Sequence, residues 1–500
     1  MPGIIRHAIL LPMKRLRWFD FLSINLFWLG LNIRNTAVGS IFMPVLVEHY
    51  APAEWINTAL SAMRTAGLII AMLIQPAAGI FSDRSTSRYG RRRPFILIGT
   101  LLDLLFLAAI GLSWNYWSLL VAVLLIQFSS NISHGPLQGL IPDLVPEDQR
   151  GRASSIKALL ELAGIFLVGV SIAKIAAAGY MGWAIVVTGA GLLIMALVTM
   201  FTVKEHPLEE KPTVPFWPPM LRVLGMLAGI LLGGLAGLIG GGLIGAIAGL
   251  IAWPFTGQSA AILVAVGLGG AMAMIIAVLI GVWAGSLATI GREARQHSSF
   301  VWWIINRLLF LAAVTSLQGF AIYFFMYAFK IEVDPATNLF GNLLSVVGVF
   351  TLISALLAGW LADRFSHKLL LGLSGILATL GAIVLLGTIW VPNESLIYVA
   401  GTMLGMASGV FMTTNWAMGT NLVPPAEAGR YLGISNLAGA GAGMIGAGIG
   451  GPVADYLNQS IPGVGYFAIF AAYAVLFALS AVSLKFIHTP SNPQPSVQSV

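Results

Sequence analysis

Long apolar runs recur from one end of the chain to the other, and they constrain its fold more than any other feature. A run of about 20 apolar residues is long enough to cross the hydrocarbon core of a bilayer as a helix. Charged residues make up 9% and apolar residues 58% of the 500 residues, whereas a soluble domain carries about 25% charged residues. Folded in water, such a chain would expose more apolar surface than its polar residues could cover. The sequence therefore predicts an all-α polytopic membrane protein.

The runs group into two sets of six helices with an inserted pair between them, about 14 transmembrane helices in all. If the inserted pair only lies on the membrane, twelve would cross it. The first set is predicted near residues 19–47, 55–81, 94–113, 117–139, 155–178 and 182–203, the inserted pair near 223–252 and 259–290, and the second set near 307–329, 338–362, 369–390, 396–420, 432–454 and 464–487. We therefore divide the chain into an N-terminal six-helix half (1–204), a central loop with a glycine-rich hairpin (205–300) and a C-terminal six-helix half with a short tail (301–500).

Lysine and arginine lie mostly on one side of this layout. All but four of the 26 fall in loops or helix ends on the side of the termini, the exceptions being Arg34, Arg64, Lys174 and Lys330. By the positive-inside rule, both termini are cytoplasmic in a cytoplasmic (inner or plasma) membrane. The same asymmetry explains the net charge of +7 without nucleic acid as a partner. The absence of cysteine excludes a thiolate metal site or a cysteine nucleophile.

Two loops occur twice at nearly the same offset. Residues 79–84 read GIFSDR and residues 359–364 read GWLADR, an offset of 280. Residues 144–152 share Leu-Val-Pro followed by Gly-Arg with residues 422–430, an offset of 278. Two unrelated loops at one spacing imply a duplicated six-helix unit, with the halves as parallel repeats about an axis along the membrane normal.

This arrangement resembles the major facilitator superfamily. Residues 79–94 are similar to the superfamily signature between helices two and three, and residues 75–96 are similar to the sucrose/proton symporters within the glycoside–cation symporter group. The resemblance implies that the first loop and its copy lock the cytoplasmic sides of the halves together while the outside is open; the alternative is that the arginines only fix topology and touch lipid headgroups. The gating motif comprises Gly79, Asp83, Arg84, Arg88, Gly90, Arg91 and Arg92, with Gly359, Asp363 and Arg364 in the second copy.

Polar residues inside the predicted spans are the candidates for solute binding. An ionisable side chain in lipid is costly, so it faces a polar cavity or a partner. Charged residues of this kind are predicted only in the first set, and Asp103 is expected to form a structural pair. Arg34 could instead clamp two helices, and Arg64 could reach outward to the interface. The predicted substrate-binding residues are Asn32, Arg34, Arg64, Gln127, Asn131, Gln318 and Asn415.

The coupling ion follows less directly from the sequence. Aligned with the sucrose symporters, Gln127 stands where that family carries the acidic residue linked to proton coupling. Glutamine cannot take up and release a proton near neutral pH. Glu161 and His134 are therefore the coupling candidates, the alternatives being an ion pair between Glu161 and Lys157 and a structural role for His134. Facilitation without ion coupling stays open.

Glycines recur every four residues from Gly225 to Gly249 in the inserted pair, and small residues do so again at Gly269, Ala273, Ala277, Gly281 and Gly285. Small residues at this spacing let helix backbones approach closely in lipid. We expect a closed antiparallel pair, with dimerisation as the alternative, in a chain that is otherwise a monomer.

A secondary transporter of a small polar solute, a mono- or disaccharide, working by alternating access with or without proton symport, is the function that fits best. Its partners are then the solute, protons and membrane lipids. A pigment- or lipid-binding carrier or assembly protein on the same scaffold is the alternative. No cofactor is expected. An enzyme is not expected either, because the outer loops are short and no metal or nucleophile motif occurs, and ATP-driven transport is not expected because no phosphate-binding glycine loop with its lysine occurs.

Overall fold

The computed structural model describes residues 15–205, 216–291, 293–362, 364–422 and 428–488. These residues form helices, with no strand among them. The first six-helix set consists of α1 (Trp18–Ala37, Val38–Phe42 and Met43–Tyr50), α2 (Ile56–Asp83), α3 (Arg93–Gly111), α4 (Tyr116–Gln138, continued by Leu140–Leu144), α5 (Arg150–Leu167, Val168–Ile172 and Ala173–Ala177) and α6 (Met181–Thr202). The hairpin is α7 (Trp217–Thr256) and α8 (Gln258–Ile290), and the second set is α9 (Ser298–Phe329), α10 (Val333–Ala362), α11 (His367–Gly387), α12 (Glu394–Asn421), α13 (Ala428–Ser460) and α14 (Val464–Ser483).

Twelve of these helices, α2 to α12 and α14, are long and apolar enough to cross a membrane. Helix α1, which includes several polar side chains, and the 33-residue α13 complete the two sets. The prediction of two six-helix sets with an inserted hairpin is therefore confirmed. We call the end of the bundle that carries the first and last described residues, Arg15 and His488, the terminal face, and the opposite end the far face.

Local sequence signals set several helix ends. Asn115 accepts a hydrogen bond from Ser118 N at 2.8 Å, and Asn393 accepts one from Ser395 N at 2.8 Å, so each side chain satisfies a free backbone donor of the helix that follows. Gly257, with φ +79°, makes the reversal between α7 and α8. A residue with a Cβ is strained in that conformation, which explains glycine at this turn.

The two hairpin helices pack closely against each other, as the glycine spacing predicts. A Cβ on Gly233 or Gly237 would overlap the backbone of α8, at Gly281 and at Ala273 respectively. The hairpin in turn rests on α13, where Gly270 contacts Val453. The hairpin therefore packs mainly against the second set, with further contacts to α2 of the first set.

The two six-helix sets meet near the far face. Tyr323 OH of α9 donates a hydrogen bond to the carbonyl of Pro44 in α1 at 2.7 Å. Asp455 of α13 accepts a hydrogen bond from Thr58 N at the start of α2, at 2.6 Å. Gln459 Nε2 donates to the Glu54 carbonyl at 2.9 Å. Among the described residues, hydrogen bonds between the two sets lie in this part of the bundle, so the sets are closed against each other there.

Candidate functional site

Arg34 and Asp103 form an ion pair deep inside the first six-helix set. Arg34 Nη2 lies 3.0 Å from Asp103 Oδ2, and the two side chains are 2% and 0% exposed. Ser129 donates its hydroxyl to the other carboxylate oxygen, so the pair joins α1, α3 and α4. Arg34 Nε is buried with no hydrogen-bond partner in the described part of the chain. In this conformation Arg34 clamps helices, the alternative that the sequence left open, and its guanidinium is not exposed to solute.

Arg64 lies between the two sets. Its Nη2 donates a hydrogen bond to the Gly39 carbonyl at 2.7 Å, and that carbonyl belongs to the π-helical stretch Val38–Phe42 of α1. The guanidinium also packs against Gly319 of α9, where a Cβ would overlap it. Isolated π-helical turns inside α-helices are frequent at functional sites. Arg64 is partly exposed, so it is a charged group in the interior that contacts both sets.

Aromatic and charged side chains cluster nearer the terminal face of the first set. The rings of Trp28 and His134 meet edge to face, with centroids 5.2 Å apart. Lys157 Nζ lies 3.9 Å from the centre of the Trp28 ring and 3.3 Å from Glu161 Oε1. The side chains of Lys157 and Glu161 are 30% and 31% exposed. The cation is thus shared between an aromatic face and a carboxylate, and the Lys157 pair foreseen for Glu161 is present.

Three amide side chains continue this cluster toward the far face. Asn32 packs against Gly164 of α5, and Gln127 packs against Gly67 of α2, each in space that a larger residue would fill. Asn131 Nδ2 donates to the Gln127 carbonyl at 2.7 Å. Together these side chains form what we call the polar column: Trp28, Asn32, Gln127, Asn131, His134, Lys157 and Glu161.

The predicted residues of the second set lie apart from each other. Asn415 is buried; its Nδ2 donates to Asn306 Oδ1 at 2.9 Å, and its Oδ1 accepts from Arg307 Nη1 at 3.1 Å. Gln318 lines a small cavity between helices of this set, together with Ser408. Asn415 is thus held by hydrogen bonds to side chains of the same set, whereas Gln318 lines a cavity.

Arg307 corrects the expectation that the second set has no interior charge. Helix α9 begins at Ser298, nine residues before Arg307, and not at residue 307 as predicted. The missed signal is the apolar stretch of residues 300–305, which extends the helix toward the terminal face. An arginine at the start of an apolar run also fits an interfacial anchor, which is why its position inside the helix was missed.

The gating motif makes its ion pairs within the first set. Arg92 is buried; its Nη2 lies 2.5 Å from Asp83 Oδ1, and its Nε lies 2.9 Å from Asp143 Oδ2. Arg91 also pairs with Asp143. Ser82 accepts a further hydrogen bond from Arg92 Nη1 at 2.7 Å. These contacts tie α2, α3 and α4 together at the terminal face.

The other members of the motif lie around this clamp. Arg84 lies over the ring of Phe216, 5.9 Å from its centroid, and Arg88 lies 4.8 Å from that of Tyr89. Gly79 approaches α4 closely. In the second copy, Gly359 has open space beside it and Arg364 lies 4.0 Å from the centre of the Trp360 ring. Asp363 lies outside the described residues.

Glu205 anchors the same loop from the end of α6. Its Oε2 accepts hydrogen bonds from Arg92 N at 3.0 Å and Arg93 N at 3.1 Å, at the start of α3. Gly90 has φ +99°, and a Cβ there would overlap Glu205. Burial raises the pKa of the Glu205 carboxyl, while the two backbone hydrogen bonds act in the opposite direction. Sequence reasoning missed Glu205, because only packing brings it to the loop.

Comparisons with known proteins agree with this architecture. The family model described as Major Facilitator Superfamily matches residues 31–301 and 308–499. The sucrose transport protein SUC3 of Arabidopsis thaliana is 31% identical over 185 residues, which cover 29% of this chain and 31% of that protein. The human proton-associated sugar transporter A is 32% identical over 188 residues, 31% of this chain and 25% of that protein. The matched stretches thus span under a third of the length of these relatives.

Solved structures match over nearly the whole chain. A D-xylose-proton symporter superposes with a TM-score of 0.63 at 15% identity, covering 94% of this chain and 98% of that one. The nucleoside transporter NupG superposes with a TM-score of 0.61 at 14% identity, covering 93% and 99%. At these identities the likeness concerns the fold. The family match covers most of the chain, and the protein belongs to the major facilitator superfamily.

Proposed function

We propose that the protein is a secondary transporter that carries a mono- or disaccharide across the cytoplasmic membrane by alternating access. The polar column is the observation that carries this proposal. It combines amide groups, which suit sugar hydroxyls, with the aromatic ring of Trp28 and an accessible ion pair between Lys157 and Glu161. Polar groups of this number inside a membrane bundle are costly unless they pair with each other or face a water-filled cavity, which is why such groups mark solute or ion pathways.

The contacts between the two sets support alternating access. The two sets are in contact at the far face, where Asp455 accepts a hydrogen bond from the first set and Tyr323 donates one to it. At the terminal face, the described ion pairs of the gating motif stay within the first set. This pattern fits a carrier whose solute site communicates with the terminal face, which is the cytoplasmic side if the excess of Lys and Arg sets the orientation. Rocking the two halves would then exchange the far-face contacts for contacts through the gating motif.

The substrate site, in this proposal, lies between the halves. Asn32 and Gln127 bind the solute from the first half, Arg64 from the boundary and Gln318 from the second. Arg34, Asn131 and Asn415 support these residues without contacting the solute, because all three are buried and hydrogen-bonded to protein groups. The 1–204 and 301–500 regions are the moving halves, in a monomer.

We assign proton coupling to Glu161. Its carboxylate is partly exposed and shares Lys157 with Trp28, so protonation would release the lysine. His134 packs edge-on against Trp28 and is the second candidate. A facilitator without coupling has support in Gln127, which occupies the position of the acid in the sucrose symporters.

Uptake of labelled sucrose, glucose and glucuronate into proteoliposomes, with and without an inward pH gradient, tests this function. We expect gradient-driven uptake that Glu161→Gln abolishes and His134→Ala preserves. Uptake that ignores the gradient would instead identify a facilitator. Properly folded protein that moves no sugar under either condition would refute the proposal.

A further inference from the structure

We propose that Arg307 and Trp416 form a subsite for a carboxylate group on the transported sugar, so that the preferred solutes are sugar acids of the hexuronate type. This inference rests on the proposed function and narrows its substrate class. It starts from a guanidinium that lies inside a membrane-spanning helix and has no acidic partner in the described part of the chain.

No carboxylate among the described residues forms an ion pair with Arg307. The interior carboxylates are used elsewhere, since Asp103 pairs with Arg34, Glu161 pairs with Lys157 and Asp455 binds the N-terminus of α2. Arg307 is only partly exposed, and its Nε is buried without a hydrogen-bond partner. An interior cation of this kind is costly. Its cost is offset if an anionic solute group completes the pair during each cycle.

Neutral groups hold the guanidinium in one orientation. Ser480 accepts a hydrogen bond from Asn306 Nδ2 through its carbonyl at 2.7 Å. Asn306 Oδ1 accepts from Asn415 Nδ2 at 2.9 Å, and Asn415 Oδ1 accepts from Arg307 Nη1 at 3.1 Å. Trp303 Nε1 also fixes the Asn415 backbone, at 2.9 Å. This chain orients Arg307 without neutralising it, and Nη1 is its only guanidinium nitrogen with a hydrogen bond among the described residues. The guanidinium edge formed by Nη1 and Nη2 is suited to a carboxylate, whereas Nε is buried.

Trp416 supplies an apolar surface beside the charge. The guanidinium carbon of Arg307 lies 5.5 Å from the centroid of its ring, and Trp416 is 39% exposed. A sugar ring that contacts the exposed indole would bring a carboxylate within reach of the guanidinium. On the first half, Lys157 and Trp28 form a similar cation and ring pair, but Glu161 already compensates that cation.

Arg307 lies far from Arg64, the other unpaired interior cation among the described residues, and this distance favours a ligand with a single negative charge. Arg64 is another interior cation without a carboxylate partner among the described residues, but it packs on Gly319. Gly319 is twelve residues beyond Arg307 in α9, or about 18 Å at 1.5 Å per residue. One small anion cannot reach both. A carboxylate matches one guanidinium, whereas a phosphomonoester carries about −1.5 to −2 charges and would need a second cation.

Binding to the detergent-solubilised full chain tests the subsite. Titration calorimetry with D-glucuronate and D-glucose should give an affinity for glucuronate at least about tenfold higher, because the two sugars differ by one charge-assisted pair. Arg307→Gln should reduce this ratio to near one, and Arg307→Lys should retain part of it. Arg295→Gln removes an exposed arginine near the terminal face and is the matched control, which should keep the wild-type ratio. Thermal unfolding of each variant checks that it is folded.

Equal affinities for the two sugars in the wild-type protein would overturn the inference. A glucuronate preference that survives Arg307→Gln in a protein with wild-type unfolding temperature would also overturn it. If the predicted binding pattern is found in a protein that moves no sugar across a bilayer, the subsite stands and the proposed transport function falls.

Discussion

Asp455 joins the two halves at the far face, and replacing it with asparagine should open that face. One carboxylate oxygen accepts hydrogen bonds from Asn57 N at 3.2 Å and Asn57 Nδ2 at 2.7 Å, and the other accepts from Thr58 N at 2.6 Å. These donors lie at the N-terminus of α2, where an anion is also favoured by the helix dipole. Asp455 is 2% exposed, so water does not compete for these bonds while the face is closed.

The size of the effect follows from the three bonds. A hydrogen bond to a charged group contributes about 1.5–3 kcal/mol and a neutral one about 0.5–1.5 kcal/mol. In Asp455→Asn, the oxygen facing Asn57 keeps neutral bonds, while the new amide group faces the Thr58 N–H, donor against donor. The closed far face should therefore lose at least about 2 kcal/mol, which is about a 30-fold change in the ratio of closed to open protein.

The chain contains no cysteine, so spin labels can be attached to introduced cysteines alone. Ala53→Cys and Ser460→Cys place labels at exposed positions of the far face, one on each half. We expect double electron–electron resonance to show a short distance in the wild-type background and a much larger population at longer distance in Asp455→Asn. Asp334→Asn, which neutralises an exposed acid at the same face, is the control and should match the wild type. Identical distance distributions for Asp455→Asn and the wild type would refute the reasoning.

Three further predictions concern stability. Asp103→Asn leaves Arg34 buried and unpaired, which should lower the free energy of unfolding by about 3–5 kcal/mol and so lower the unfolding temperature. Combining it with Arg34→Met should recover most of the loss. If stability is not recovered, the two residues do not stabilise the fold as an ion pair. Gly237→Leu should separate the hairpin helices and lower the unfolding temperature by several degrees. Gly242 has open space beside it, so Gly242→Leu should leave the unfolding temperature unchanged. Equal effects of the two substitutions would contradict the close packing of α7 and α8 at Gly237. Because burial raises the pKa of Glu205 above its usual 4.5, protonation favours the folded state, so the wild type should gain stability relative to Glu205→Gln as the pH falls through the raised pKa. A stability difference that is independent of pH between these two proteins would contradict this.

Sequence alone predicted the helices and much of their packing. Apolar runs of membrane-spanning length are a strong local signal. The four-residue glycine spacing predicted the close contact of α7 and α8, because small residues allow two helix backbones to approach each other. The repeated loops predicted the duplicated six-helix unit. These features depend on residues that are neighbours along the chain or share one helix face.

The interior pairs were harder to predict. Arg34 and Asp103 are 69 positions apart, and only the arrangement of α1 and α3 brings them together. Arg307 is the first residue of one predicted span (307–329) and Asp455 directly follows another (432–454), and a charge next to an apolar run fits an interfacial position equally well. Their partners, Asn415 and the N-terminus of α2, lie on helices distant in sequence, so one sequence could not assign them.

Counterflow tests the central claim most directly, because it requires a site that is exposed alternately to the two sides and does not depend on the coupling ion. Proteoliposomes loaded with unlabelled sugar and diluted into a trace of the same labelled sugar should accumulate label transiently above its equilibrium level. Labelled glucose, sucrose and glucuronate should each be measured in this way. An overshoot with at least one of them is the predicted result, and its absence with all three, in protein that is folded and reconstituted, would contradict the account.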